Sequence, residues 1–290
     1  MMLSQDVALW HSAMLADEPR NRAFEQAISR AAAGADMVLD IGTGSGLLSL
    51  IAARAGAKRV VACEVNSALA ATAREVVAAN GYESVIEVIA KPSPDLDRER
   101  DLAGGADLVV AEVFGDDLVN EGALATLHHA MRELARPGAR IIPARGAIRV
   151  APAWHARPLG PTGEAAGFDL GAFERHLRPY QKVQTDDPSV ELRGEPADLF
   201  DFDFQGGGPF NPDRARVDLV ATAPANGVIQ WIRLSLDEAI EHENRPGAGR
   251  RSSWAAAYRP LPEGRIAAPG ETIGVNGAHD GGRVHLWIDR

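Results

Sequence analysis

At 290 residues, 46% apolar and 24% charged, the chain can bury a full core and has the length of two domains. Its formal net charge of −10 excludes a nucleic-acid backbone as the main partner, which would need clustered cations, and is compatible with a basic substrate. One cysteine, Cys63, excludes an internal disulfide and a cysteine-rich metal site. The start lacks a basic-then-apolar leader pattern and no apolar run approaches a membrane span, so the expectation is a cytoplasmic protein with no membrane partner.

Strand and helix signals alternate through the first ~150 residues, the pattern of an α/β sheet. The segment 37-MVLDI-41 is a short buried strand, and 47-LLSLIAARAG-56 is a helix closed by a glycine. A second strand, 59-RVVACEV-65, precedes the helix 67-SALAATAREVVAANG-81, with Ser67 as its N-cap. Further strands are 85-VIEVIA-90 and 107-DLVVAEV-113. The helix 121-EGALATLHHAMRELARPG-138 is stopped by Pro137 and Gly138, and 139-ARIIPA-144 is the next strand. Helical periodicity then becomes rare. Segments 146–154, 216–223, 227–236, 254–260, 271–277 and 283–289 read as strands between Gly/Pro turns, a barrel or sandwich with Trp231, Trp254 and Trp287 in its core. Between them, 168-FDLGAFERHL-177 reads as a helix in an irregular stretch. The expected fold class is α/β: a Rossmann-like sheet within residues 1–144, then a β-barrel-like domain over 145–290.

Two stretches carry chemistry. In 38-VLDIGTGSGLLSL-50, strand leads through a glycine loop to helix, and Gly42, Gly44 and Gly46 let the backbone turn tightly and approach a ligand. A dinucleotide fingerprint reads G-x-G-x-x-G, but here Leu47 follows Gly46. The spacing G-x-G-x-G after Asp40 is the pattern of class I S-adenosyl-L-methionine (SAM) methyltransferases. Glu64 closes the next strand 24 residues beyond Asp40, where an acid can accept both ribose hydroxyls of a nucleoside. The second stretch is 111-AEVFGDDLVNEGAL-124. From Asp101 to Met131 the chain has six acids and no Lys or Arg. Glu112 follows an apolar run, and a buried strand-end carboxylate is costly unless paired. Glu121 alone reads as a first-turn acid facing a helix dipole. Asp116 and Asp117 read either as a solvated loop or as a subsite for a second substrate cation. His128 and His129, without a ligand-spaced partner, read as structural or exposed.

Taken together, these features resemble the protein arginine methyltransferases. The stretch 14-MLADEPR-20 looks like that family's M-L-x-D-x-x-R helix, Glu112 and Glu121 have its spacing of nine, and 252-SSW-254 stands where it has Thr-His-Trp. The acids between the two glutamates bring the chain closest to the branch that stops at monomethylarginine. The resemblance implies SAM as cofactor and methyl transfer to a guanidino nitrogen of arginine in a basic protein or peptide. It also implies roles. Arg20 would pair with the carboxylate of SAM, with Asp40, Gly42, Gly44 and Gly46 along the methionine portion and the glycine loop. Met14 would pack beside the sulfonium, Glu64 would hold the ribose, and Ser93 would flank the adenine. Glu112 and Glu121 would be catalytic, while Asp117 and Trp254 would border the acceptor. His11 would touch the cofactor, and a dimerisation arm within 160–200 would make a homodimer. No metal is implied.

A guanidinium is a poor nucleophile because its lone pairs are delocalised. Two carboxylates can fix its plane through charge-assisted bonds and draw positive charge away from the nitrogen facing the methyl. The sequence departs from the family at Ser253, where a histidine would pair with the acid of the N-terminal helix, here Asp17. A serine accepts no proton near neutral pH. The readings left open are release of the proton to solvent or to a glutamate, weaker catalysis, or a small guanidino or amino metabolite as acceptor. SAM binding without turnover is a further alternative.

Overall fold

A computed structural model describes residues 11–158, 163–170, 172, 180–247 and 249–289. Five strands, β1 (Val38–Ile41), β2 (Val60–Cys63), β3 (Ile86–Ile89), β4 (Ala106–Ala111) and β5 (Ala135–Ile142), form a parallel sheet in the order β3–β2–β1–β4–β5. β1 and β2 are buried at every position, as parallel strands covered on both faces must be. The strand order reverses between β1 and β4, and ligands of open α/β sheets bind outside the carboxyl ends of the strands at that point. The glycine loop, Glu64 and Glu112 follow the ends of β1, β2 and β4 respectively.

The helices are set by their apolar stripes and caps. α1 (Glu18–Ala32) buries Phe24, Ala27, Ile28 and Ala31, the i, i+3, i+4, i+7 spacing of one face, and Asp17 caps it by accepting from the Arg20 amide. α2 (Leu47–Arg54) follows the glycine loop. α3 (Ser67–Ala79) is capped by Asn66 rather than Ser67, because the asparagine carbonyl reaches the amides of both Ala68 and Leu69. The helix expected over 121–138 is shorter. α4 (Ala123–His129) runs into one wide turn, Ala130–Leu134, and the chain is extended from Ala135. Pro137 and Gly138 do not end the helix. They occupy a bulge in β5, where pairing with β4 slips between Ala106–Ala135 and Leu108–Arg140. A proline without an N–H is tolerated there.

From Arg145 onward the paired strands are antiparallel. β6 (Arg145–His155) and the strand Gly227–Ser235 centre a seven-stranded sheet that also takes Gln181–Val183, Val190–Leu192, Ala197–Asp203, Glu241–Glu243 and Ala256–Pro260. A separate three-stranded sheet, Asp213–Val220 with Thr272–His279 and Val284–Ile288, shares core residues with it. The β-rich part is thus a curled half-barrel. Phe168–Asp169 pairs with Glu164–Ala165 as a two-stranded ribbon, so the helix expected from 168 does not start there; residues 171 and 173–177 lie outside those described. Trp231 and Trp254 are core, whereas Trp287 is 40% exposed and stacks on His285. His128 bonds the Gly207 carbonyl. Among the described residues no helix is long and apolar enough to cross a membrane.

The two parts are joined through Trp254, whose indole Nε1 donates to the Phe114 carbonyl at 2.9 Å with both residues buried. Trp254→Phe keeps an aromatic ring but leaves that carbonyl unpaired. It is expected to lower stability by about 1–3 kcal/mol, read as a shift in the urea midpoint; an unchanged midpoint would show that the bond does not hold the parts together.

Candidate active site

A cleft of about 720 Å³ opens at the carboxyl ends of the central strands. Met14, Gly42, Glu64, Ser93, Glu112 and Glu121 all line it, together with His11 and Lys91. A small adjoining recess adds Arg20 and Gly44. Residues spread over more than a hundred positions are therefore gathered around one space. Four expected site residues do not line it: Asp40, Gly46, Asp117 and Trp254. Among the described residues no cluster of His, Cys, Asp and Glu could hold a metal.

The glycine loop has a steric reason for its composition. Gly42 and Gly44 have φ of +72° and +53°, where an L side chain is strained. A Cβ on Gly42 would meet Val113 Cγ1 at 2.8 Å, and one on Gly44 would meet His11 Cε1 at 2.9 Å. Gly46 instead packs α2 against Ala73 and Val77 of α3. Asp40 faces inward. Its Oδ2 accepts the hydroxyls of Thr43 and Ser49 at 2.7 and 2.6 Å, which ties the loop to α2, and burial pushes its pKa up. Burial likewise pushes the neighbouring Cys63 thiol to about 12, leaving it unreactive. Glu64 is held by backbone donors, Gly44 N at 3.1 Å and Asn66 N at 2.9 Å, one on each oxygen.

At the other end of the cleft, Arg20 Nη2 donates to Glu112 Oε2, and the two side chains are only 3% and 5% exposed. The guanidinium lies over the rings of Phe24 and Trp254, 5.2 and 6.0 Å from their centroids, and Nη1 donates to Asn21. Its Nε is buried without a partner. Burial pushes the Glu112 pKa up to about 7; the Arg20 charge opposes that rise and the Glu121 charge adds to it. Glu121 itself is exposed, in a left-handed conformation with φ +62°, and Gly122 follows at +75°. It stands just before Gly122, the residue that caps α4, rather than within the first turn of that helix. A non-glycine residue held left-handed stores strain of about 1–3 kcal/mol, which is found where a site over-determines the backbone.

The acidic loop is not free of cations once folded. Arg20 reaches Glu112 from α1, and Lys182 Nζ reaches Asp116 Oδ2 at 2.5 Å from the barrel. The other Asp116 oxygen accepts the Ala255 amide at 2.8 Å. Asp117 accepts the Asn120 amide at 3.0 Å, and burial raises its pKa. Nor is Asp17 left unpaired by the missing histidine. Its Oδ2 accepts Ser253 N at 2.9 Å and the hydroxyls of Ser252 and Ser253 at 3.1 Å each. Burial works against its charge, yet these bonds and the Arg20 amide hold its pKa below the usual range. His242, also buried and beside Trp254, lies within reach of the Asp17 charge, and burial lowers its pKa to about 4. Lys182 and His242 carried no motif signal; only the charge of Lys182 against the acidic loop could have marked it.

Residues 23–144 match the family model described as ribosomal protein L11 methyltransferase (PrmA). The chain is 36% identical over 276 residues to an arginine N(omega)-methyltransferase of Streptomyces achromogenes subsp. streptozoticus, covering 93% of this chain and 75% of that protein. Identity to protein arginine N-methyltransferase 7 of Drosophila mojavensis is 33% over 79% of this chain, which spans 36% of that longer relative. Among solved structures, the Trypanosoma brucei PRMT1 enzyme-prozyme heterotetrameric complex with AdoHcy superposes with a TM-score of 0.81 at 22% identity, covering 92% of this chain and 86% of that one. Arabidopsis thaliana protein arginine methyltransferase 10 gives 0.76 at 17%, with 96% and 95% covered. The sheet order, glycine loop and strand-end acids are those of a class I SAM-dependent methyltransferase. Within that class, the chain belongs to the protein arginine N-methyltransferase family, on the side of its monomethylating branch.

Asp17→Ala removes a helix cap and three further accepted bonds, and is expected to cost about 2–4 kcal/mol in guanidinium unfolding at neutral pH. Because the folded pKa of Asp17 is depressed, its contribution is present at neutral pH and is lost as pH falls through that lowered value. The gap between parent and variant should close in acid; a gap that persists there would show that packing, not charge, is responsible.

Proposed function

We propose that the chain transfers a methyl group from SAM to a guanidino nitrogen of arginine in a protein or peptide. The supporting observation is that Glu112 pairs with a guanidinium already, that of Arg20, in a site where Glu121 faces the same cleft. The fit to SAM rests on the two glycines that bring backbone to the cleft wall, on Glu64 fixed at its edge, and on the unpartnered Arg20 Nε. Bound there, SAM supplies an electrophilic methyl on a sulfonium. Glu64 would hold the ribose hydroxyls, Ser93 and Lys91 would flank the base, Met14 would cover the sulfur, and Arg20 would take the carboxylate. Asp40 would act at one remove, by fixing the loop.

Glu112 and Glu121 would grip the acceptor guanidinium and set its plane, which is where positioning contributes most. A carboxyl with a pKa of about 7 can also take the departing proton, at Oε1, the oxygen not engaged by Arg20. Residues 1–144 would thus serve SAM and 145–290 the acceptor, with Trp254 acting from behind the loop. A homodimer is part of the proposal: the T. brucei relative is a heterotetrameric complex, and Phe168 and Leu170 lie exposed on the ribbon where an arm is expected.

The test is labelled SAM with arginine-rich peptides, followed by amino-acid analysis of the product; monomethylarginine is expected, and SAM binding with no methylarginine from any peptide would sink the reading. Glu112→Gln and Glu121→Gln should each lower kcat/KM about 100-fold or more. Since Glu112 must be ionised to hold a cation, kcat/KM should fall as pH drops through about 7, and that limb should disappear in Glu112→Gln.

A further inference from the structure

The loop between the two glutamates passes twice through a backbone conformation that side chains resist. Leu118 has a φ of +70° and Glu121 of +62°. For an L residue this left-handed region brings Cβ close to the following carbonyl oxygen, so each needs something to hold it there. Glu121 is exposed, whereas Leu118 is fully buried at 0% exposure. The hold therefore lies at Leu118. Its side chain enters the half-barrel where β6 carries a glycine. A Cβ on Gly146 would stand 3.1 Å from Leu118 Cδ1 and 2.7 Å from Phe204 Cζ, so the strand interior is left bare to admit the loop. Phe204 stacks on Phe114 with ring centroids 5.5 Å apart, and Phe114 lines the cleft together with Glu121. Within the loop, the Leu118 amide donates to the Gly115 carbonyl at 3.0 Å and the Asn120 amide to Asp117 Oδ1 at 3.0 Å. A Cβ on Gly115 would run into the Asn120 side chain. From Leu118 to Glu121 the chain is thus a short, braced turn with one end sunk in the barrel and the other at the cleft.

We propose that Leu118 is a positioning residue for Glu121: its burial over Gly146 holds the loop in the left-handed turns that bring that carboxylate to the cleft. This rests on the reading of Glu121 as a grip on the acceptor guanidinium. Burying a leucine side chain is of the size needed to offset one left-handed residue, so the turn persists while Leu118 stays docked. Leu118 lines neither the cleft nor its recess, so its effect on the reaction passes through the backbone.

The experiment compares Leu118→Met with Leu118→Ile in the full chain, using labelled SAM and an arginine-rich peptide. Both keep an apolar side chain of nearly the same volume, but isoleucine branches at Cβ and tolerates a left-handed φ far less. Leu118→Met should keep kcat/KM for the peptide within about three-fold of the parent, and Leu118→Ile should lower it about ten-fold or more. The Kd for SAM, read by calorimetry, should change less than about two-fold in both. In a Glu121→Gln background, Leu118→Ile should cost less than about three-fold, because the group it positions has gone. If isoleucine matches methionine, the left-handed turn does not position Glu121. If the isoleucine loss is as large in the Glu121→Gln background, or SAM affinity falls with it, Leu118 is a packing residue only. Either result overturns the inference and leaves the arginine-acceptor reading standing. SAM binding without methylation of the peptide by the parent protein would instead overturn that reading, and this inference with it.

Discussion

The burial of one guanidinium against one carboxylate, Arg20 against Glu112, is the constraint around which the molecule is arranged. Neither group could be taken from water alone, and even together the exchange is unfavourable for Glu112: its pKa stands near 7 although a full positive charge touches it. Desolvation therefore outweighs the attraction. Buried pairs of this kind are weak contributors to stability, and an apolar pair of the same shape would often serve as well. The surroundings hold the pair in place regardless. Asp17 caps the helix at the Arg20 amide, Phe24 and Trp254 cover the guanidinium, and Trp254 is bonded to the loop that begins at Glu112. Sheet, N-terminal helix and half-barrel meet at this one charge pair. An arrangement that stores unfavourable desolvation at a junction makes physical sense if the carboxylate must later meet another guanidinium.

Three acids follow or end adjacent strands, and their fates differ by what surrounds them. Asp40 is turned inward and spends one oxygen on two hydroxyls. Glu64 has an amide on each oxygen and keeps a face to the cleft. Glu112 takes a side-chain cation. Backbone donors stabilise a carboxylate without introducing a mobile charge, whereas a side-chain cation can be drawn away by a competing anion. Two of these acids are thus held by hydrogen-bond donors and the third by a buried cation.

Much of this was legible. The parallel strands, the glycine loop and the strand-end acids are local features, each set by a few neighbouring residues, and the observed strands follow the predicted ones within a few positions. What escaped was decided over long range or by single atoms. Three-residue strands such as Gln181–Val183 have no periodicity to read; they exist because a neighbouring edge offers them partners. The bulge at Pro137 looks in sequence like a helix stop because proline is placed at both. The strip from Asp101 to Met131 reads as purely anionic, yet counter-charges reach it from Arg100 and Arg136 just outside it and, over long range, from Arg20 and Lys182. Electrostatic partners are a property of the folded surface and cannot be counted along the chain.

Ser253 shows how a substituted family position can still satisfy its partner. A protonated histidine on Asp17 would place a positive charge close behind Arg20 and Glu112, and that charge would lower the Glu112 pKa. Two serine hydroxyls and an amide satisfy Asp17 with dipoles only, and the nearby His242 is held neutral by burial. Hydrogen bonds from the Ser253 and Arg20 amides lead the causes that hold the Asp17 pKa down against burial. Burial holds the Glu112 pKa at about 7 against the opposing charge of Arg20.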